Sequence, residues 1–150
     1  MDGEKLGRLL EDEALARLLQ RQEPETLRRL SAHSIELALS TAGMDHLQFA
    51  QQLDAIRQGQ PVPGRSSLRT QAEEFDAIAD EAADSGEPLH RAADSPDPLF
   101  LAARSLCAMC EASDPTRDPL DSAAWCLYEV SFVVGQANLR QQLASWLQPA

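Results

Sequence analysis

No uninterrupted apolar run in this chain of 150 residues approaches the ~18–20 residues that a membrane-spanning helix needs. Cysteine is scarce as well. Three residues, an odd number, leave at least one thiol unpaired and do not suggest a disulfide framework, and a chain of this length buries roughly two-thirds of its unfolded surface without staples. The opening stretch MDGEKLGRLLEDEALARLL is polar and helical in character, unlike the basic-then-apolar leader of an exported chain. Together these features predict one soluble domain, residues 1–150, in a reducing, cytoplasmic setting. Basic residues are few: 13 against 24 acidic, for a net charge of −11. A nucleic-acid binder requires a basic footprint, and anionic membrane surfaces would repel this chain. The acidic excess suits a basic partner or plain solubility. No Gly-rich phosphate loop is present, and no β-branched run alternates as a half-buried strand would.

Helical periodicity fills the space these absences leave. Residues 12–22 carry Ala14, Leu15, Leu18 and Leu19 as a short apolar face. Pro24 opens and Gly43 ends a second helix, with Leu27, Leu30, Ser34, Leu37, Ala38 and Thr41 inward and Arg29, His33 and Glu36 outward. Asp45 caps a third over 46–58, anchored by Leu47, Phe49, Leu53 and Ile56 and stopped by Gly59. GQPVPGRSS, residues 59–67, is a long Pro/Gly loop. A fourth helix over 67–84 buries Leu68, Ala72, Phe75, Ala79 and Ala82, and a turn over 88–93 follows it. Two helix starts then echo each other, Asp97-Pro98-Leu99 and Asp118-Pro119-Leu120. In each, Asp caps and Pro occupies the first helical position, where no N–H is needed. The two helices, joined by ASDPTRD, read as an antiparallel pair. The second is apolar nearly all round through AAWCLYEVSFVV, as a helix at the centre of a bundle is. Leu120, Ala123, Leu127, Val130 and Val134 form one side, and Trp125, Tyr128 and Phe132 another. Gly135 kinks this helix or divides it from a terminal segment with Leu139, Leu143, Trp146 and Leu147. The expected fold is all-α, six or seven helices around the helix at 119–134.

Few residues assemble into chemistry. Cys107 and Cys110 form a CxxC, but zinc would want a second pair, and only Cys126 remains. A redox pair would place its first thiol at a helix N-terminus, whereas Cys107 is mid-helix. Packing is the expected role, with Cys110 inside and Cys107 on the flank near Phe100. His33, His46 and His90 stand on separate segments and suggest no triad. Glu87-x-x-His90 matches half of a di-metal helical motif, but it contains Pro88 and lacks its second copy. No catalytic residue, metal or cofactor is assigned.

The strongest polar pattern is an acidic stripe. Glu73, Asp76, Asp80 and Asp84 recur along one face of the fourth helix, with Glu74 and Glu81 beside them and Glu87 beyond. Residues 73–97 hold nine acidic residues and one basic, Arg91. Like charges one turn apart destabilise a helix by ~0.2–0.5 kcal/mol each. The stripe reads either as a solvated face or as a docking surface for a basic protein, through Glu73, Asp76, Asp80, Asp84 and Glu87. A further alternative is enzymatic. Glu73-x-x-Asp76 and Glu81-x-x-Asp84 resemble in part the acidic motifs of the all-α nucleotide pyrophosphohydrolases, and this resemblance implies Mg²⁺ held against a polyphosphate. Both pairs here lie on one helix, and Glu36 is the lone residue that could serve as their partner.

The stretch LAARSLCAMCEASDPTRDPLDSAAWCLYEV, from Leu101, resembles the all-helical bacterial polymorphic-toxin immunity proteins: acidic, Ala-rich and without a catalytic set. The resemblance covers the C-terminal third and implies a cytoplasmic protein that binds and blocks a basic toxin. The expected function is thus a non-catalytic protein-binding module. A homodimeric helical scaffold stands as a further alternative. Charge would steer the partner, and Trp125, Tyr128 and Phe132 would anchor it where their face is exposed, although their apolar setting places most of them in the core.

Overall fold

The computed structural model describes residues 3–84 and 97–147, and every regular element among them is helical. In chain order these are α1 (Gly3–Leu10), α2 (Glu13–Gln20), α3 (Pro24–Thr41), α4 (Ala50–Gln58), α5 (Arg65–Asp84), α6 (Pro98–Ala112), α7 (Pro119–Val134) and α8 (Gln136–Leu147). A 3₁₀ turn, His46–Phe49, leads into α4. The described residues therefore hold one α-helix more than expected, because the polar N-terminal stretch forms two. Glu11, in the left-handed region at φ 53°, turns the chain between them, and Asp12 caps α2 through the Leu15 N–H at 3.0 Å.

The caps legible in the sequence are present. Asp97 accepts from the Leu99 N–H at 2.8 Å and Asp118 from the Asp121 N–H at 2.8 Å, each with Pro at the first helical position. Asp45 accepts from the Leu47 N–H. Gly59, at φ 71°, ends α4 in the left-handed conformation that glycine adopts without a Cβ penalty. The turn expected over 88–93 lies outside the described residues.

Helices α5, α6 and α7 form one layer with α6 in the middle, and α3 packs on both α6 and α7. α4 lies against α3 and α6, α1 pairs with α2, and α8 closes on α7, α1 and α3. The layers meet closely because the facing residues are small: Ser31, Ala32, Ser34 and Ala38 on α3, Ala103 and Ala108 on α6, and Ala123, Ala124 and Cys126 on α7 are all buried. Larger side chains, Ile35, Leu39, Leu106, Met109, Leu127, Leu139 and Leu143, fill the space between, each stabilising the fold by about 1.5–3 kcal/mol.

Helical existence was readable, but several faces were not. On α3 the buried set extends to Ile35 and Leu39, whereas Leu37 is half-buried and Thr41 exposed. On α2, Ala16 is buried and Ala14 and Leu18 face outward. Leu47, expected as an anchor, is 70% exposed because the 3₁₀ turn rotates it away from the face of Leu53 and Ile56. The loop after α4 is shorter than expected, as α5 begins at Arg65, and Val62 within it is buried.

Candidate functional site

The outer face of the α5–α6–α7 layer gathers the polar and aromatic residues that the core excludes. Arg104 stands near the middle of α6 and reaches both neighbouring helices: one Nη donates to Asp76 on α5, the other to Glu129 on α7 at 2.9 Å. Burial works against the Arg104 charge, but Glu129, then Cys107 and Asp76, outweigh it and raise its pKa. Burial pushes the Glu129 carboxyl above its ordinary range, opposed by Arg104. The result is a three-helix clamp in which one cation holds two carboxylates.

An aromatic row runs beside this clamp. Trp125, Tyr128 and Phe132 follow one stripe of α7, stacked edge-to-face with ring centroids 5.7 and 5.0 Å apart. Phe100 of α6 extends the row, its ring 6.3 Å from Phe132 at 83°. A guanidinium closes each end: Arg117 lies 5.2 Å over Trp125 and Arg104 5.5 Å over Phe100, a cation–π geometry. The expectation that these α7 aromatics are mostly core is corrected. Trp125 and Tyr128 are half-buried and Phe132 is 44% exposed, because the buried side of α7 is set instead by Ala123, Cys126, Leu127 and Val130 facing α3 and α6.

The acidic stripe divides. Glu73, Glu74, Asp80 and Glu81 are exposed and have no ion-pair partner among the described residues. Asp76 is half-buried and bound to Arg104, so it belongs to the clamp rather than to the free surface. Asp84 ends α5, and Glu87 lies outside the described residues, as does His90. Ile78 on α5 is 51% exposed. Glu36, the lone partner for a metal pair on α5, binds Arg57. Among the described residues no group of three or more His, Cys, Asp or Glu side chains is arranged to hold a metal ion.

The cysteines are separate and free. Cys110 is buried, its thiol donating to the Arg65 carbonyl at 3.8 Å. Cys107 is half-buried beside Arg104, and burial pushes its thiol up to about 11. Cys126, fully enclosed against Ser34 and the Ser31 carbonyl, is pushed up to about 12 by burial. Such thiols stay protonated near neutrality and fill space.

Sequence reasoning missed Arg104, Glu129 and Phe100. A signal existed. Arg104 is the one charge in PLFLAARSLCAMC, and Glu129 the one charge in SAAWCLYEVSFVV. In an antiparallel pair, a residue six past the start of α6 meets one five before the end of α7. No family model matches the chain, and no curated protein or solved structure does so either.

Proposed function

We propose that the chain is a non-catalytic protein-binding module that docks a basic partner on the outer face of α5, α6 and α7. The observation that supports this reading most is the exposed end of the aromatic row at Phe132 on a layer whose neighbouring helix carries four exposed, unneutralised carboxylates. Edge-to-face aromatics held by flanking guanidinium groups form a preorganised anchor, and preorganisation lowers the entropy lost on binding. The carboxylates of Glu73, Glu74, Asp80 and Glu81 supply long-range attraction for lysine and arginine side chains. The clamp carboxylates, Asp76 and Glu129, hold the three helices in register rather than meeting the partner. The resemblance of the C-terminal third to immunity proteins names one class of such a partner, a basic toxin. In that role the chain would act by occlusion.

The test uses the intact chain as bait in host lysate at low salt, beside Phe132→Ser and the combined E73Q, E74Q, D80N and E81Q variant. The expected result is a basic protein retained by the parent, lost with the charge variant, and washed from the parent at high salt. Phe132→Ser would weaken capture by roughly tenfold or more. A partner held equally by all three baits would sink the reading. So would a dimer of this chain, seen by light scattering and dispersed by Phe132→Ser, because the stripe would then be occupied by a second copy.

A further inference from the structure

A second feature lies at the end of the α6–α7 pair where α7 begins, beyond the Arg117 that caps the aromatic row. The first turns of α3, the C-terminal end of α4, the turn between α6 and α7 and the start of α7 enclose a cleft of ≈ 190 Å³. An apolar cavity of about 150 Å³ is large enough for a benzene ring. Much of the lining is apolar, with Ile56, Pro61, Pro115 and Ala123 among its residues. Arg28 of α3 and Arg117 of the α6–α7 turn supply its cations.

The two arginines differ in one decisive respect. Arg117 is already surrounded by carboxylates: it binds Glu111 and lies 3.5 Å from Asp114 and 3.8 Å from Asp121. Arg28 has neither a hydrogen bond nor an ion pair among the described residues, and its Nε is buried without an acceptor. Buried N–H groups left without an acceptor are rare in folded proteins, because the desolvation they suffer goes uncompensated. The Arg28 guanidinium also has a close backbone neighbour. It lies against Gly59, where a Cβ would come within 3.1 Å of its Cζ and Nη1. The left-handed glycine that ends α4 thus leaves a flat platform on which the guanidinium rests, with its donors uncommitted.

We propose that this cleft binds a small monocarboxylate with an apolar body, its carboxylate accepting from Arg28. The apolar lining takes the body, and the guanidinium fork matches the planar carboxylate. The hydroxyls of Ser31 and Ser113 already donate to the Leu27 and Met109 carbonyls, so among the lining cations and hydroxyls the charged donor left over is Arg28, with the neutral Ser122 and Gln60 side chains beside it. The carboxylates around Arg117 repel a dianion, so a doubly charged phosphate is disfavoured. The proposal does not rest on the docking reading, although Arg117 borders both the cleft and the aromatic row.

Benzoate is the probe, with the isosteric neutral benzamide and inorganic phosphate as controls. The readout is the Arg28 Nε–Hε resonance, assigned by its disappearance in Arg28→Lys, together with the thermal midpoint of the intact chain. Benzoate should move the resonance saturably and raise the midpoint. Benzamide should bind about tenfold more weakly or worse, the expected loss of a charged hydrogen bond. Arg28→Lys, checked for parent-like helicity, should lose the benzoate effect, while Phe132→Ser, remote from the cleft, should keep it. A resonance unmoved by benzoate would overturn the proposal. Equal binding of benzamide, tighter binding of phosphate, or unchanged benzoate binding by a folded Arg28→Lys would do so too.

Discussion

At the scale of single residues, the thiols and Asp114 are set by opposite causes. Burial raises Cys107 to about 11 and Cys126 to about 12, and raises Cys110 as well. The native chain should therefore react slowly with a thiol reagent at neutral pH, with the half-buried Cys107 first, and should release three thiols at once in denaturant. Fast reaction of Cys126 in the native state would contradict its enclosure. Asp114, in the α6–α7 turn, is held below the ordinary carboxylate range by hydrogen bonds from the Thr116 hydroxyl (2.7 Å) and N–H (2.9 Å), then by Arg117 and Arg65. A lowered native pKa stabilises the fold above the unfolded value of ~3.9, and this contribution is lost as pH falls through the native value. Thr116→Val should raise the Asp114 pKa in a carboxyl NMR titration and flatten the acid limb of stability. An unmoved Asp114 would show that the hydroxyl is not the cause.

At the scale of elements, the Arg104 clamp joins three helices that the core joins on the other side. Arg104→Met leaves Glu129 and Asp76 without their cation and should cost about 3 kcal/mol in urea unfolding, the low end for a broken buried pair because the clamp is partly exposed. Glu129→Gln keeps an acceptor for Arg104 and should cost about 1 kcal/mol. Equal losses would mean that the charge on Glu129, rather than the Arg104 bridge, carries the effect. Gly135, at φ 87° and ψ 145°, separates α7 from α8 with nothing near a would-be Cβ. That region of backbone space is open essentially to glycine alone. Gly135→Ala should thus destabilise by about 1–3 kcal/mol through the backbone, and a neutral result would mean that the junction relaxes. The caps at Asp97 and Asp118 were legible because they depend on side chain and backbone three residues apart or fewer. The faces of α2 and α3 were not, because Ala-rich helices carry weak periodicity and the neighbouring helices decide which side is covered. Glycine at 135 was readable as a break, but not as one with a new helix beginning on the next residue.

At the scale of the whole molecule, charge and grease are segregated. A net charge of −11 repels itself, and salt screens that repulsion over roughly 8–10 Å. Moderate salt should therefore raise the thermal midpoint from its low-salt value. A fall would mean that the ion pairs of Arg57, Arg104 and Arg117 outweigh the general repulsion. The stripe on α5 was legible as a composition, but its division was not. Asp76 shares its helix with Asp80, yet only the neighbouring helix, through Arg104, decides that one carboxylate is spent internally. The aromatic row shows the same limit. The apolar pattern of α7 marks it as central, but which side faces solvent follows from the positions of α3 and α6.

The two ends of the fold are tied together. Gln136 donates to the Leu9 carbonyl at 2.6 Å and Arg140 to the Leu10 carbonyl at 3.2 Å, spanning 127 and 130 positions of the chain. An eight-residue helix is too short to persist unaided in water, so on the ribosome α1 gains its final clasp only when α8 has emerged. A segment synthesised well before α8 is then secured only after it, and a translation product interrupted between them would carry Leu6 and Leu10 unclasped and open to chaperones.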